Sequence, residues 1–206
     1  LDHIHGDGRA ETLLESPVRA VEQKSEGVEI FSQTGKNYVG RTAIITVPLN
    51  CLADVDFKPA LGSTKIRVSR ARHTGSGTKV YVRVKGRRPT VMCTGKHDMP
   101  LSFLWTEYDD RESQILVGFG ASDKLLDIHS EKDVLNALRN FLPEVELIDY
   151  FTHDWNDDPY SRGTWCMYRP ETLTKEFEDL QKKEGRLYFA SADIAKGWRG
   201  FVDGAI

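Results

Sequence analysis

The 206-residue chain carries 39% hydrophobic and 29% charged residues, enough apolar material for a folded core and too much for wholesale disorder. Its formal charge of -3 leaves no electrostatic footprint for nucleic acid. Three cysteines, Cys51, Cys93 and Cys166, without Cys-x-x-Cys spacing argue against a disulfide framework and a zinc motif, and their odd count favours a reducing, intracellular compartment.

In chain order, Val18-Arg-Ala-Val21, Val28-Glu-Ile-Phe31 and Tyr38-Val39 read as a small antiparallel meander turning at Thr34-Gly-Lys36. Ala43-Ile-Ile-Thr-Val47, a continuous apolar run ended by Pro48, predicts a strand buried on both faces of an α/β sheet. Beyond Pro59 the polar stretch Lys65 to Arg72 reads as a helix, and Lys85-Gly-Arg-Arg88 as a solvated hairpin tip. Val80-Tyr-Val-Arg-Val84 alternates, and with the strand candidates Leu101 to Trp105 and Ile115 to Phe119 it predicts a mixed sheet.

Ser130, with Asp133 three residues on, starts a helix whose Val134, Leu135, Leu138, Phe141 and Leu142 share one face up to Pro143. Leu147 to Trp155 returns to strand character. Leu173, Phe177 and Leu180 stripe a short helix, and Leu187-Tyr-Phe-Ala190 predicts a last buried strand followed by a helix from Gly197 onward. A strand, loop and helix N-terminus in that order suit electron-rich ligand atoms, although the small residues of Ala190 to Ala205 would equally serve close helix-sheet packing. No apolar run reaches the roughly 18 residues of a membrane span. The start at Leu1 and the stop at Ile206 inside a helical pattern predict a piece of a longer protein.

Five blocks in order resemble the FAD-dependent monoamine oxidase family, most closely its soluble fungal branch: Ser16-Pro-Val-Arg19, Ile45-Thr-Val-Pro-Leu49 with Phe57-Lys-Pro-Ala-Leu61, Gly77-Thr-Lys-Val80, Trp155 to Trp165, and Phe189 to Ala205. The resemblance implies an α/β fold of mixed α+β character. Residues 1–64 and 158–206 would be portions of the FAD-binding domain, flanking a substrate-binding portion with a mixed sheet at 65–157. It implies that the Val18 backbone holds the adenine end of FAD, that Asp193 receives a ribityl hydroxyl, and that the Val202 amide faces the flavin pyrimidine.

In the same resemblance Trp165 and Phe201 fall at the paired cage aromatics, which attract a cation and orient an amine between them. Lys79 falls at the lysine that bonds through water to flavin N5 and assists reoxidation by oxygen. The implied partners are a small amine and O2, the products an imine and hydrogen peroxide. Thr164 stands where covalent members carry the tethering cysteine, so noncovalent FAD is expected; Cys166, two residues further on, would serve only if the alignment slipped. The Gly-rich phosphate turn is expected upstream, because Gly6-Asp-Gly8-Arg-Ala-Glu11 lacks a preceding strand.

Alternatives remain at this point: an inactive fragment prone to self-association, or a polyamine or amino-acid oxidase on the same fold. No metal site is assigned. His3 and His5 beside Asp2 and Asp7 read as a polar segment, and the adjacent pairs Asp109-Asp110 and Asp157-Asp158 have diverging side chains unsuited to a shared proton.

Overall fold

The computed structural model describes residues 6, 8–86, 88–109 and 112–205. The histidine and aspartate cluster at 2–7, Arg87 and Asp110 therefore lie outside the described residues.

β1 (Val18–Gln23), β2 (Val28–Ser32) and β3 (Asn37–Gly40) form the antiparallel meander, extended by β5 (Asp56–Lys58) parallel to β1. The β2–β3 turn closes because Ser32 Oγ accepts from the Lys36 amide at 3.1 Å while Gly35 takes φ 83°, a conformation suited to a residue without Cβ.

β4 (Ala43–Ile45) pairs in parallel with β11 (Leu187–Phe189), joining the first and last parts of the chain. The expectation that β4 is buried on both faces and that β11 is a buried strand is corrected here. Ala43 and Leu187 are buried, but Ile44 is 66% and Tyr188 43% exposed. Among the described residues the pair is a two-stranded sheet, and no second layer covers its outer face.

After Pro48 the chain makes a 3₁₀ turn, Leu49–Asp54, on which α1 (Ser63–Ala71) packs. The polar sequence of α1 hides one buried group. Lys65 is 2% exposed, and its Nζ reaches the carbonyls of Asp179 (2.6 Å) and Lys182 (2.8 Å) and Glu184 Oε1 (2.9 Å).

The middle of the chain forms a five-stranded sheet in the order β10–β6–β9–β8–β7, from β6 (Thr78–Lys85), β7 (Met92–Thr94), β8 (Phe103–Asp109), β9 (Ser113–Gly120) and β10 (Leu147–Thr152). Every named pairing is antiparallel, so the α/β mixture belongs to the chain as a whole while this sheet is not mixed. The neighbours of β6 are β9 and β10. Lys85-Gly86 therefore leads from β6 toward β7, which is not its sheet neighbour, rather than forming a hairpin tip, and Lys85 pairs with Glu146.

Alternation in β6 buries Val80, Val82 and Val84 beneath α2 (Glu131–Arg139), whose Val134, Ala137 and Leu138 are almost fully buried. Ser130 caps α2 by accepting from the Asp133 amide at 3.2 Å. The helix stops at Asn140, short of Pro143, and Phe141 and Leu142 pack against the core from outside it. Truncating a residue as enclosed as Leu138 to alanine would cost about 2–5 kcal/mol.

Two smaller cores serve the other part of the molecule, one around Val21, Phe57 and Leu187 and one around Leu49, Val68 and Leu180. Thr172–Glu176 forms a π turn running into α3 (Phe177–Gln181), and the chain ends through a 3₁₀ turn, Ala192–Ile194, and α4 (Val202–Ala205).

Candidate functional site

A cleft of about 530 Å³ opens where these parts meet. Its walls are the residues after β4, the start of β6, the end of β9, the loop after β10, and the turn after β11.

The loop after β10 has no regular structure, and its shape comes from side chains bonding backbone amides. Asp154 Oδ1 accepts from Asn156 N and Asp157 N at 3.0 and 3.1 Å, and Asp158 Oδ1 accepts from Tyr160 N at 2.7 Å. His153 Nε2 lies 2.7 Å from Asp158 Oδ2. The Tyr160 amide, followed by His153, holds the Asp158 carboxyl below its usual range.

The loop then zips onto residues 74–77. Thr164 N donates to Gly75 O at 3.0 Å, Gly77 N donates to Thr164 Oγ1 at 2.9 Å, and Thr74 N donates to Met167 O at 2.8 Å. A Cβ on Gly75 would stand 1.8 Å from the Trp165 carbonyl oxygen, and one on Gly77 2.7 Å from the Trp165 ring. These two glycines are what allows the Trp165 segment to approach so closely.

Trp165, so placed, meets Phe119 with ring centroids 5.0 Å apart, and Phe119 stacks on Trp105 at 5.1 Å and 18°. Lys79 is the direct register partner of Phe119, on the face of β6 opposite the core. Its Nζ is 4.5 Å from the Tyr81 ring centroid and 5.3 Å from that of Phe119. Across the cleft, Asp193 Oδ2 accepts from Leu49 N at 2.8 Å, and its backbone carbonyl accepts from Cys166 Sγ at 3.6 Å and from the Tyr168 hydroxyl.

Of the residues singled out in the sequence, Lys79, Trp165 and Asp193 thus line one cleft, together with Thr164. Phe201 does not line it. Its ring is 62% exposed and meets Trp198 edge-on at 6.0 Å. Val202 is exposed at the first position of α4, and Val18 stands at the start of β1, outside the cleft.

One lining residue, His73, carried no sequence signal, while Thr78, Phe119 and Cys166 were visible only within a motif block, a strand candidate and the cysteine set, without a site role. Phe119 was recognisable as a strand residue but not as the partner of Lys79, because pairing is not encoded in either strand alone. His73, Cys166 and Asp193 come from three separate segments, and their ligand-type atoms all lie within 4.8 Å of one another.

Burial pushes the Cys166 thiol up to about 12, with Asp193 adding to the shift and Arg199 opposing it. Burial likewise lowers His73, against the pull of Asp193, and raises Tyr168. The cleft therefore combines Lys79 and Asp193 with a neutral thiol and a neutral imidazole, while Tyr168 lies outside its lining. It can hold a flat ring against Trp165 and Phe119 and take a hydroxyl on Asp193, but it presents no thiolate nucleophile. Thr78 Oγ1 is buried without a hydrogen-bond partner, a polar atom left for a ligand.

The family model described as flavin containing amine oxidoreductase matches residues 1–206. The chain is 39% identical over 209 residues to pseudooxynicotine dehydrogenase of Pseudomonas sp, covering 100% of this chain and 42% of that protein. It is 33% identical to nicotine dehydrogenase of Pseudomonas putida, covering 97% and 42% respectively, so it spans less than half the length of these curated relatives. Among solved structures, putrescine oxidase bound to putrescine matches with a TM-score of 0.82 at 20% identity, over 98% of this chain and 48% of that one. Cyclohexylamine oxidase from Brevibacterium oxydans matches at 0.76 and 20%, over 94% and 46%. At this identity the two structures speak to the fold alone.

Proposed function

The chain belongs to the flavin containing amine oxidoreductase family, and from that premise we propose that it forms one wall of an FAD site in an enzyme oxidising a small amine to an imine with reduction of O2 to hydrogen peroxide. The observation that carries this reading is the convergence of Lys79, Trp165 and Asp193, from three distant segments, on one cleft. In the proposed arrangement residues 1–64 and 158–206 are portions of the FAD-binding domain and 65–157 a portion of the substrate domain. The separation of the sheet core under α2 from the two smaller cores supports that division.

FAD, when bound, supplies the two-electron acceptor for the carbon beside the amine nitrogen. The chain's own residues position and polarise. Asp193, already anchored by Leu49, receives a ribityl hydroxyl, and Trp165 presents its ring to the cationic amine. Lys79 contributes a fixed positive charge, held between Tyr81 and Phe119, where negative charge develops on oxygen. Phe201 and the Val202 amide complete the cage and the pyrimidine contact, and the Val18 backbone holds the adenine end. Because Phe201 is exposed and packs on Trp198, its part requires the turn around Gly200 to bring it across from Trp165.

Thr164 occupies the tether position and is committed to the Gly77 amide, which supports noncovalent FAD. Acid precipitation of the holoprotein should leave the yellow colour in the supernatant.

The test of the reading is Lys79→Met in the full-length protein, with flavin reoxidation followed by stopped flow. A loss of about 10²–10³ in the oxygen rate is expected for removal of one preorganised electrostatic group. An unchanged oxygen rate would remove Lys79 from this role. The exposed faces of Ile44 and Tyr188 favour a second statement about the isolated 206-residue chain: on its own it self-associates and shows no flavin spectrum.

A further inference from the structure

We propose that His73, Cys166 and Asp193 form a binding site for a thiophilic divalent metal ion of the zinc type, and that this ion competes with the flavin for the cleft. The three side chains supply the nitrogen, sulfur and oxygen donors that zinc accepts. Their donor atoms lie within 4.8 Å of one another. A tetrahedral ion with bonds of about 2.0–2.3 Å separates its ligand atoms by roughly 3.3–3.8 Å, so closure needs side-chain movement on the order of 1 Å.

The scaffold already fixes each donor. Asn50 Oδ1 accepts from the His73 amide at 2.9 Å, Leu49 N holds one Asp193 oxygen at 2.8 Å, and Cys166 is docked by its zipped segment. Charge favours the ion as well. Binding releases the Cys166 Sγ proton to solvent, and one thiolate with one carboxylate neutralises the dication inside a mostly buried pocket.

Two hydrogen bonds stand in the way: Cys166 Sγ, once deprotonated, no longer donates to the Asp193 carbonyl at 3.6 Å, and the second involves His73. His73 Nδ1 accepts from the Gly75 amide at 3.1 Å. Coordination through Nδ1 displaces that bond, and coordination through Nε2 leaves the ring proton on Nδ1, so either mode releases the Gly75 N–H. Two neutral hydrogen bonds are small beside three metal–ligand bonds. A water would supply the fourth ligand of the tetrahedron.

The metal site stands on these residues alone, whereas the competition rests on the flavin reading. The experiment uses full-length protein with its flavin removed, titrated with Co²⁺ and then Zn²⁺. The expected result is a near-ultraviolet thiolate-to-cobalt charge-transfer band, bleached by Zn²⁺, retained in Cys51→Ser and absent in Cys166→Ser. His73→Ala should weaken Zn²⁺ binding by at least about 100-fold, above the 10–100-fold typical of outer-shell partners. X-ray absorption of the zinc-loaded parent, which needs no variant to fold, should show one sulfur with nitrogen or oxygen scatterers. Absence of the band in the parent, its survival in Cys166→Ser, or a sulfur-free zinc shell would overturn the site. Zinc-loaded protein that rebinds FAD as fast as metal-free protein would overturn the competition and leave the ligand set standing.

Discussion

Replacing Lys65 by methionine keeps the length of the side chain and removes its charge. In the parent, Nζ supplies donors to two backbone carbonyls and to Glu184 Oε1, and lies 4.5 Å from the Phe189 ring. The variant strands those acceptors. Breaking an enclosed pair costs about 3–5 kcal/mol. The Glu184 side chain keeps 25% exposure and can rehydrate, which sets the expectation at the lower end, about 3 kcal/mol. In a full-length protein of about twice this size, as in the relatives of which this chain covers 42%, that corresponds to a fall in Tm of about 3–6 °C.

Circular dichroism melts of the full-length protein measure it, with two companions. Glu184→Gln has one amide oxygen for two donors, Lys65 Nζ and the Gly62 amide, and should lose about 1–3 kcal/mol. Lys58→Met removes a lysine that is 73% exposed and paired with Glu22, and should change stability by less than about 1 kcal/mol. If Lys65→Met melts within the scatter of Lys58→Met, the buried ammonium does not tie α1 to the C-terminal segment and the reasoning fails.

Two further outcomes follow from the site. The Asp158 carboxyl is held below its ordinary value of 3.8, so its stabilisation is complete above that value and is lost as pH falls through the lower folded one. Asp158→Asn should therefore be less stable than the parent at neutral pH, and the two stability curves should converge in acid; a gap that stays constant into strong acid would contradict the assignment. Burial pushes Cys51 up to about 11 and Cys166 up to about 12, so alkylation near neutral pH, followed by peptide mass mapping, should label half-buried Cys93 first. Equal labelling of the three thiols would show that the packing around Cys51 and Cys166 opens far more than the structure allows.

Local patterns were readable wherever one element decides its own fate. The alternation of Val80 to Val84 identifies β6 and its buried face, and Ser130 with Asp133 places the start of α2. Burial by partners was not readable. Ala43–Ile45 looks doubly buried because its composition is apolar, yet Ile44 is exposed because no layer among the described residues covers it. Lys65 looks solvated because lysine usually is, and only the fold reveals carbonyls aimed at it from more than a hundred residues away. Trp165, Lys79 and Asp193 were visible through motif order, whereas His73 and Cys166 have no spacing signal, since their proximity arises from the contact between residues 74–77 and the Trp165 segment.

The pairing of β4 with β11 also sets an order of events at the ribosome. Leu49 and Asp193, which meet beside that pairing, are 144 residues apart. At synthesis rates of about 5–20 residues per second, the first of them waits roughly 7–30 s for the second to emerge. The five-stranded sheet and α2, lying wholly between the two, can fold during that interval. The meander is complete earlier still. The cleft is therefore the last part of this chain to be assembled during translation, and until then β4 is a nascent strand edge for chaperones to shield.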